Sequence, residues 1–409
     1  MRRYFLGWTL LFVLLLAGVA VANIVVDPYS IYRFVQVRGF NEFKPRAQQQ
    51  GRLMKVHGLI FERPRALILG NSRAEMGFDP QHRAWPQDTQ PVFNAALPGT
   101  GLTSALDFVR REVERQTPRT ILLGLDFKDF LFDARKASVS QVAPAQQTSP
   151  LQHFATTAKE FSATVLSLDA LIDSALTITA QRDPYPADLR ADGFNPLRNY
   201  IGIAKNDGYY AMFRQRNLEN AKAYGRGAKD LFAAGNRSSP DFETLDAIIR
   251  LCRERGIALK LIIYPYHAHL LETLRAAGLW STFEEWKRVL ANLSGKAGNG
   301  ENAALIVWDF SGYHAYATET VPLTKDQDRA TEVHWYWEAG HFKKELGDIM
   351  LDRILSNAPP SSEDEFGVVL TPNNIERHLA TLRQSRERYA GTHPEDVHAV
   401  ETMVAQAWR

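Results

Sequence analysis

Cysteine is almost missing from the 409-residue chain, where Cys252 stands alone. One thiol makes neither an internal disulfide nor a thiolate metal cluster, and its setting in IIRLCRERG reads as the apolar side of a helix, a core thiol. An excess of one charge is missing too: 48 Lys and Arg face 46 Asp and Glu, for a formal net of +2. That balance excludes a dedicated nucleic-acid binder, so no nucleic-acid partner is expected. No Gly-rich phosphate loop and no internal repeat occurs. Histidine and the acids show no convincing zinc spacing, although His267-x-His269 could be joined to His334, and neither cofactor nor metal is expected.

What the chain does contain is one long apolar run. From Tyr4 to Val26 there is no charge, Arg2 and Arg3 precede the run and Asp27 ends it. The length is that of a membrane span. Ala20-Val21-Ala22 would suit a signal peptidase, yet the run exceeds the roughly 7–15 residues of a signal core, so an uncleaved anchor is the reading. The two arginines place the N-terminus in the cytoplasm. The expectation is a single-pass protein of a bacterial inner membrane, with residues 1–27 as N-terminus and anchor and the main domain in the periplasm.

Residues 28–64, with VDPYSIY and QQQGR, read as a linker. From Arg65 strands and helices alternate: ALIL, a short VFNAAL, a helix over about 102–116, TILLGLDF, a helix through DAIIRLCRERG, ALKLIIYP, ENAALIVWDF, and a helix in GHFKKELGDIMLDRIL. This alternation predicts an α/β domain over residues 65–356 built on a parallel sheet. Residues 134–239 interrupt it with a polar loop and helix-like segments, an insertion able to roof a site. Residues 357–409 read as a C-terminal helical tail whose basic helix NIERHLATLRQSRERYAG turns its charges to solvent.

The stretch RALILGNSRAEMGFDP holds the first candidate. Four apolar residues closed by Gly70 are a strand buried on both faces, and in such sheets ligands sit beyond the carboxyl ends of the strands. Ser72 then stands at the mouth of a site, unless its hydroxyl caps the next helix. A serine nucleophile needs an imidazole to take its proton and a carboxylate to orient that imidazole. WYWEAGHFKKELGD supplies both in Glu338 and His341, three residues apart and ahead of an amphipathic helix. Rival residues are Glu332 with His334, and Asp309 at another strand end. Tyr266, His267 and His269 follow a further strand end and either bind sugar or pack. The aromatics around these motifs, Tyr264, Tyr266, Trp335, Tyr336, Trp337 and Phe342, suit either sugar stacking or core.

Ser72 after the first core strand, Asn94 and Gly99 in FNAALPG, Asp126 in GLDF, and a late acid-x-x-His resemble, in order and context, the four sequence blocks of the SGNH (GDSL-like) hydrolase superfamily. The resemblance covers roughly residues 65–133 and 240–356. It implies a flavodoxin-like three-layer α/β/α sandwich in which Ser72 is the nucleophile, His341 the base, Glu338 the orienting acid and Gly99 an oxyanion donor beside the Ser72 amide. Asn71, Arg73, Asn94, Asp126, Tyr266 and His267 join the oxyanion and substrate-binding set. Membrane-anchored members that this chain resembles move or remove O-acyl groups on extracellular polysaccharides. The implied partners are therefore a polysaccharide or other glycan, the inner membrane, and a membrane acyl-transfer or export component. The chain departs from the family in Asn71 for the usual aspartate, Asp126 for an oxyanion-donating asparagine, and Glu338 for aspartate. Arg73 could pair with Asp126 or with a substrate carboxylate. The alternative expectation is a catalytically inactive SGNH-like module that binds glycan or scaffolds an envelope assembly.

Overall fold

The computed structural model describes residues 1–133, 159–225, 229–232, 239–295, 305–328, 331–356 and 366–408. The polar loop ASVSQVAPAQQTSP lies outside them. In chain order the elements are α1 (Arg2–Val26), α2 (Gly51–Glu62), β1 (Ala66–Leu69), α3 (Ser72–Gly77), β2 (Val92–Asn94), α4 (Leu102–Arg115), β3 (Thr120–Leu125) and β4 (Phe132–Asp133). There follow α5 (Lys159–Val165), α6 (Leu168–Ala180), α7 (Arg198–Asn206), α8 (Gly208–Gly225), β5 (Lys229–Asp230), α9 (Pro240–Glu254), β6 (Ala258–Ile263), α10 (Ala268–Ala276) and α11 (Trp280–Gly295). The chain closes with β7 (Ile306–Asp309), β8 (Tyr336–Glu338), β9 (His341–Phe342), α12 (Lys344–Leu355), β10 (Val368–Val369), α13 (Ile375–Thr392) and α14 (Pro394–Ala407).

Two compact units result, residues 1–61 with 143–202 and residues 62–142 with 203–409. In the first, α1 is long and apolar enough to cross a membrane. Its C-terminus is finished by polar groups. The Asp27 carboxylate accepts from the amides of Ile31, Tyr32 and Arg33 at 2.8–3.1 Å, and Lys44 Nζ donates to the carbonyls of Val26 and Asp27 at 2.8 and 2.9 Å. The lysine bonds satisfy carbonyls that a helix end leaves unpaired. The stretch read as a linker is thus folded: α2 lies in it, Lys44 N donates to Asp188 at 2.9 Å, and the Gln181 side chain exchanges hydrogen bonds with the Phe43 backbone.

The second unit is built on a six-stranded sheet of order β10-β7-β6-β3-β1-β2. Five strands are parallel and β10 joins β7 antiparallel at the edge. Every residue of β1 is buried, as its four apolar side chains require. The chain leaves β1 for β2 on one side and returns to β3 on the other, so β1 and β3 flank the point where strand order reverses. That crevice is where ligands bind in open parallel sheets. The expected helix with Gly256 at its end is α9, and Gly256 takes the left-handed conformation at φ +66°.

Three expectations change. GHFKKELGDIMLDRIL is helical only from Lys344, because His341 and Phe342 pair with β8 as a short antiparallel hairpin. Of the segments read as helix-like within residues 134–239, NLENAKAYGRGAKDLFAA is helical only up to Gly225, as part of α8, after which Lys229–Asp230 pairs with β4. The basic face of α13 is not simply solvated: Arg383 pairs with Glu284, and Arg386 holds the buried Glu272 at 3.1 Å.

Candidate functional site

Gly70 ends β1 at φ +142°, and a Cβ there would run into the Tyr264 hydroxyl. Only glycine admits both the backbone turn and the tyrosine. Asn71 follows as the N-cap of α3, its side-chain oxygen accepting from Arg73 N at 3.1 Å. The cap is therefore Asn71, and the half-buried Ser72 keeps its hydroxyl for another partner. Ser72 Oγ lies 2.7 Å from His341 Nε2.

His341 reaches Ser72 because α12 packs on α3 without a side chain between them. A Cβ on Gly347 would fall on the Gly77 carbonyl, and one on Gly77 would enter the Phe342 ring. The β8–β9 hairpin sets Glu338 opposite His341. Its Oε1 accepts from His341 Nδ1, and its Oε2 accepts from Gly340 N at 2.6 Å. Glu338 and His341 are buried. Burial alone would raise the Glu338 pKa, but His341, then Arg216 and the Gly340 amide, outweigh it and lower it to about 2. With the carboxylate charged, Nδ1–H donates to it, and Nε2 is left to accept from the serine hydroxyl.

Asp126, at the end of β3, serves as an acceptor. Its carboxylate receives Asn71 Nδ2 at 2.9 Å, the Tyr266 hydroxyl at 3.0 Å, Lys128 N at 3.3 Å and an ion pair from Arg73 Nη1. Arg73 Nε also donates to the Gly340 carbonyl at 2.5 Å, and its guanidinium lies 5.4 Å from the Tyr266 ring centre. Burial would lower the Arg73 pKa, and the Asp126 charge outweighs it and raises it. Arg73 thus neutralises Asp126 and ties α3, which carries Ser72, to the hairpin that carries His341. Asp129, nearby, is pushed up to about 8 by burial and then by Asp126.

The remaining candidates fall around this centre. Asn94 is buried, and its amide donates to the carbonyls of Ala74 and Phe78 at 2.9 Å, fixing α3 to β2. Beyond β2 the chain runs on beside β1, with Leu97 N donating to Gly70 O at 3.0 Å, and Gly99 lies exposed two residues later at φ +71°. Tyr266 spends its hydroxyl on Asp126 and on Phe127 N at 3.0 Å. His267 is buried at the N-cap of α10, where Nδ1 accepts from His269 N and Nε2–H donates to the Glu319 carbonyl. Burial, then His269, lowers the His267 pKa well below its usual value. Neither residue is brought to Ser72 by these bonds. Tyr264, Tyr336 and Phe342 are core. The rival pair Glu332 and His334 is exposed and 3.7 Å apart, and Asp309 is taken by Lys287 and His378 at 2.7 and 2.8 Å.

One contributor escaped sequence reasoning. Arg216 on α8 brings Nε to 3.1 Å from Glu338 Oε1, so the segment expected to roof the site carries a cation to Glu338. Nothing in AMFRQRN marks it. Compared with known proteins, the chain matches no family model and no curated protein, so the arrangement around Ser72 is read from its own geometry.

Proposed function

We propose that the protein is a membrane-anchored, extracytoplasmic serine O-acyltransferase or O-acetylesterase acting on a cell-envelope or exported polysaccharide. The observation that carries this reading is the unbroken relay Ser72–His341–Glu338, with the acid buried, charged and bonded on both oxygens. The parallel strands in order β2-β1-β3-β6-β7, with Ser72 and Asp126 at the switch point, support a flavodoxin-like three-layer fold of the SGNH type.

In the reaction Ser72 Oγ attacks the ester carbonyl as its proton passes to His341 Nε2. The tetrahedral oxyanion rests on the Ser72 and Gly99 amides. Collapse breaks the ester bond, the proton moves from Nε2 to the departing alcohol oxygen, and an acyl-enzyme remains. A sugar hydroxyl or water, deprotonated by His341, then takes the acyl group and restores Ser72. Glu338 stabilises the imidazolium in both halves, and Arg216 and Gly340 N hold Glu338. Asn71 turns its amide to Asp126, which removes one possible oxyanion donor. Losing such a donor costs about 10² to 10³ in rate, and this observation favours the second reading, an inactive glycan-binding or scaffold module.

Labelling with a serine-directed fluorophosphonate, beside hydrolysis of an aryl acetate, separates the two. The full chain is expected to react at Ser72 and to gain one acetyl group in the intact mass, and Ser72→Ala to do neither. Absence of adduct on the parent chain would shift the reading to the binding module.

A further inference from the structure

We infer that α5 and α6 lie in the membrane interface beside α1, with the apolar face of α6 against lipid; this rests on the reading of α1 as an uncleaved anchor. Residues 4–22 of α1 cover about 28 Å at about 1.5 Å per residue, close to the thickness of a bilayer's hydrocarbon core. Asn23 then sits at the boundary, and its partners come from the segment in question. Its amide donates to Val165 O at 2.9 Å and its oxygen accepts from Ser174 Oγ at 3.0 Å. The end of α5 and the middle of α6 are thereby fixed at the depth where α1 leaves the hydrocarbon.

α6 has its polarity reversed. Ala170, Asp173, Ser174 and Thr177 face inward, with Asp173 accepting from the Tyr29 hydroxyl at 2.8 Å and pairing with Arg46 at 3.3 Å. Outward, at successive intervals of four, stand Leu168, Ile172 and Leu176, exposed by 70, 58 and 38%. Such residues share one helix face. Phe161 on α5 is also exposed, and Phe34 stacks on Tyr32, whose hydroxyl shares a 2.8 Å hydrogen bond with Thr164 Oγ1. Exposed aromatics around such a face suit the headgroup zone. α6, 13 residues long, is too short to span alone, and although α5 and α6 together have the length and hydropathy of a broken span they are bent by 44°; the buried polar face of α6 and its bond to Asn23 at the end of α1 place the pair along the surface in the manner of an interfacial helix. Continuity with α1 makes lipid the occupant of the face.

The test uses the full chain in liposomes with Cys252→Ala, an environment-sensitive fluorophore on one introduced cysteine, and phospholipids carrying a quenching nitroxide on the acyl chain. Labels at Ile172→Cys and, separately, Leu168→Cys are expected to lose fluorescence, as is one at Leu14→Cys within α1, each against the same label in liposomes without nitroxide. Quenching at Leu14 with none at Ile172 or Leu168 overturns the inference and leaves the anchor standing; a blue-shifted but unquenched Ile172 label would mean that protein covers the face. No quenching at Leu14 removes the anchor and the inference with it.

Discussion

Breaking the Arg73–Asp126 pair offers the sharpest test of how the site is held. Arg73 and Asp126 are 8 and 2% exposed, so neither charge recovers full hydration when the other is removed. Removing one partner of a buried pair costs about 3–5 kcal/mol. Arg73→Met should therefore lower the folded-to-unfolded ratio by roughly two to four powers of ten at about 1.4 kcal/mol per tenfold, a large part of the roughly 5–15 kcal/mol that holds a domain together. Asp126→Asn leaves Arg73 charged and unpaired, and its cost should be similar. The double variant strands no charge, so it should lose about 1–3 kcal/mol less than the sum of the singles. Denaturant unfolding of the full chain in detergent, followed by tryptophan fluorescence, measures all four corners. Additivity within about 0.5 kcal/mol would refute the coupling, and with it the idea that Arg73 exists to neutralise Asp126.

Glu338, ordinarily at 4.5, is lowered to about 2, so the unfolded chain binds this proton more readily. Its contribution, about 3 kcal/mol at about 1.4 kcal/mol per pH unit, is complete above pH 4.5 and is lost as pH falls towards 2; Glu338→Gln should flatten stability against pH over that window, and an unchanged slope would reject the assignment. Gly347→Val drives a side chain onto the Gly77 carbonyl, which should cost at least about 1–3 kcal/mol and displace His341 from Ser72. Gly391→Ala in α13, where a Cβ meets nothing within 4 Å, should be neutral or stabilising by up to about 1 kcal/mol; equal melting temperatures for the Gly347 and Gly391 variants would contradict the packing.

Much of the second unit was legible because its signals are local. Ala66-Leu67-Ile68-Leu69 is apolar on both faces and ends in glycine, so it reads as a central strand, and Glu338 and His341 sit close enough in sequence to be paired by eye. Arg216 was not legible. It is one arginine among polar neighbours on a helix, and its value comes from a hairpin folded against it from far along the chain. Residues 28–50 misled for a related reason: their order comes from Lys44 and Phe43 bonding to carbonyls and side chains elsewhere in the chain, which leaves no periodicity to detect. Asp126 was recognisable as a site residue by position, but its role required the geometry, since the same carboxylate could repel an oxyanion or anchor an arginine.

The bond between Ser72 and His341 joins residues 269 positions apart. Synthesis adds about 5–20 residues per second, so Ser72 exists for roughly 13 to 54 s before His341 has even been made. Throughout that interval Ser72 is an ordinary alcohol. Arg73 can reach the Gly340 carbonyl only once the hairpin arrives, so on the proposed reading the Ser72 hydroxyl gains its base only when residues 338–341 have been made, and a product truncated before them would carry Ser72 without His341.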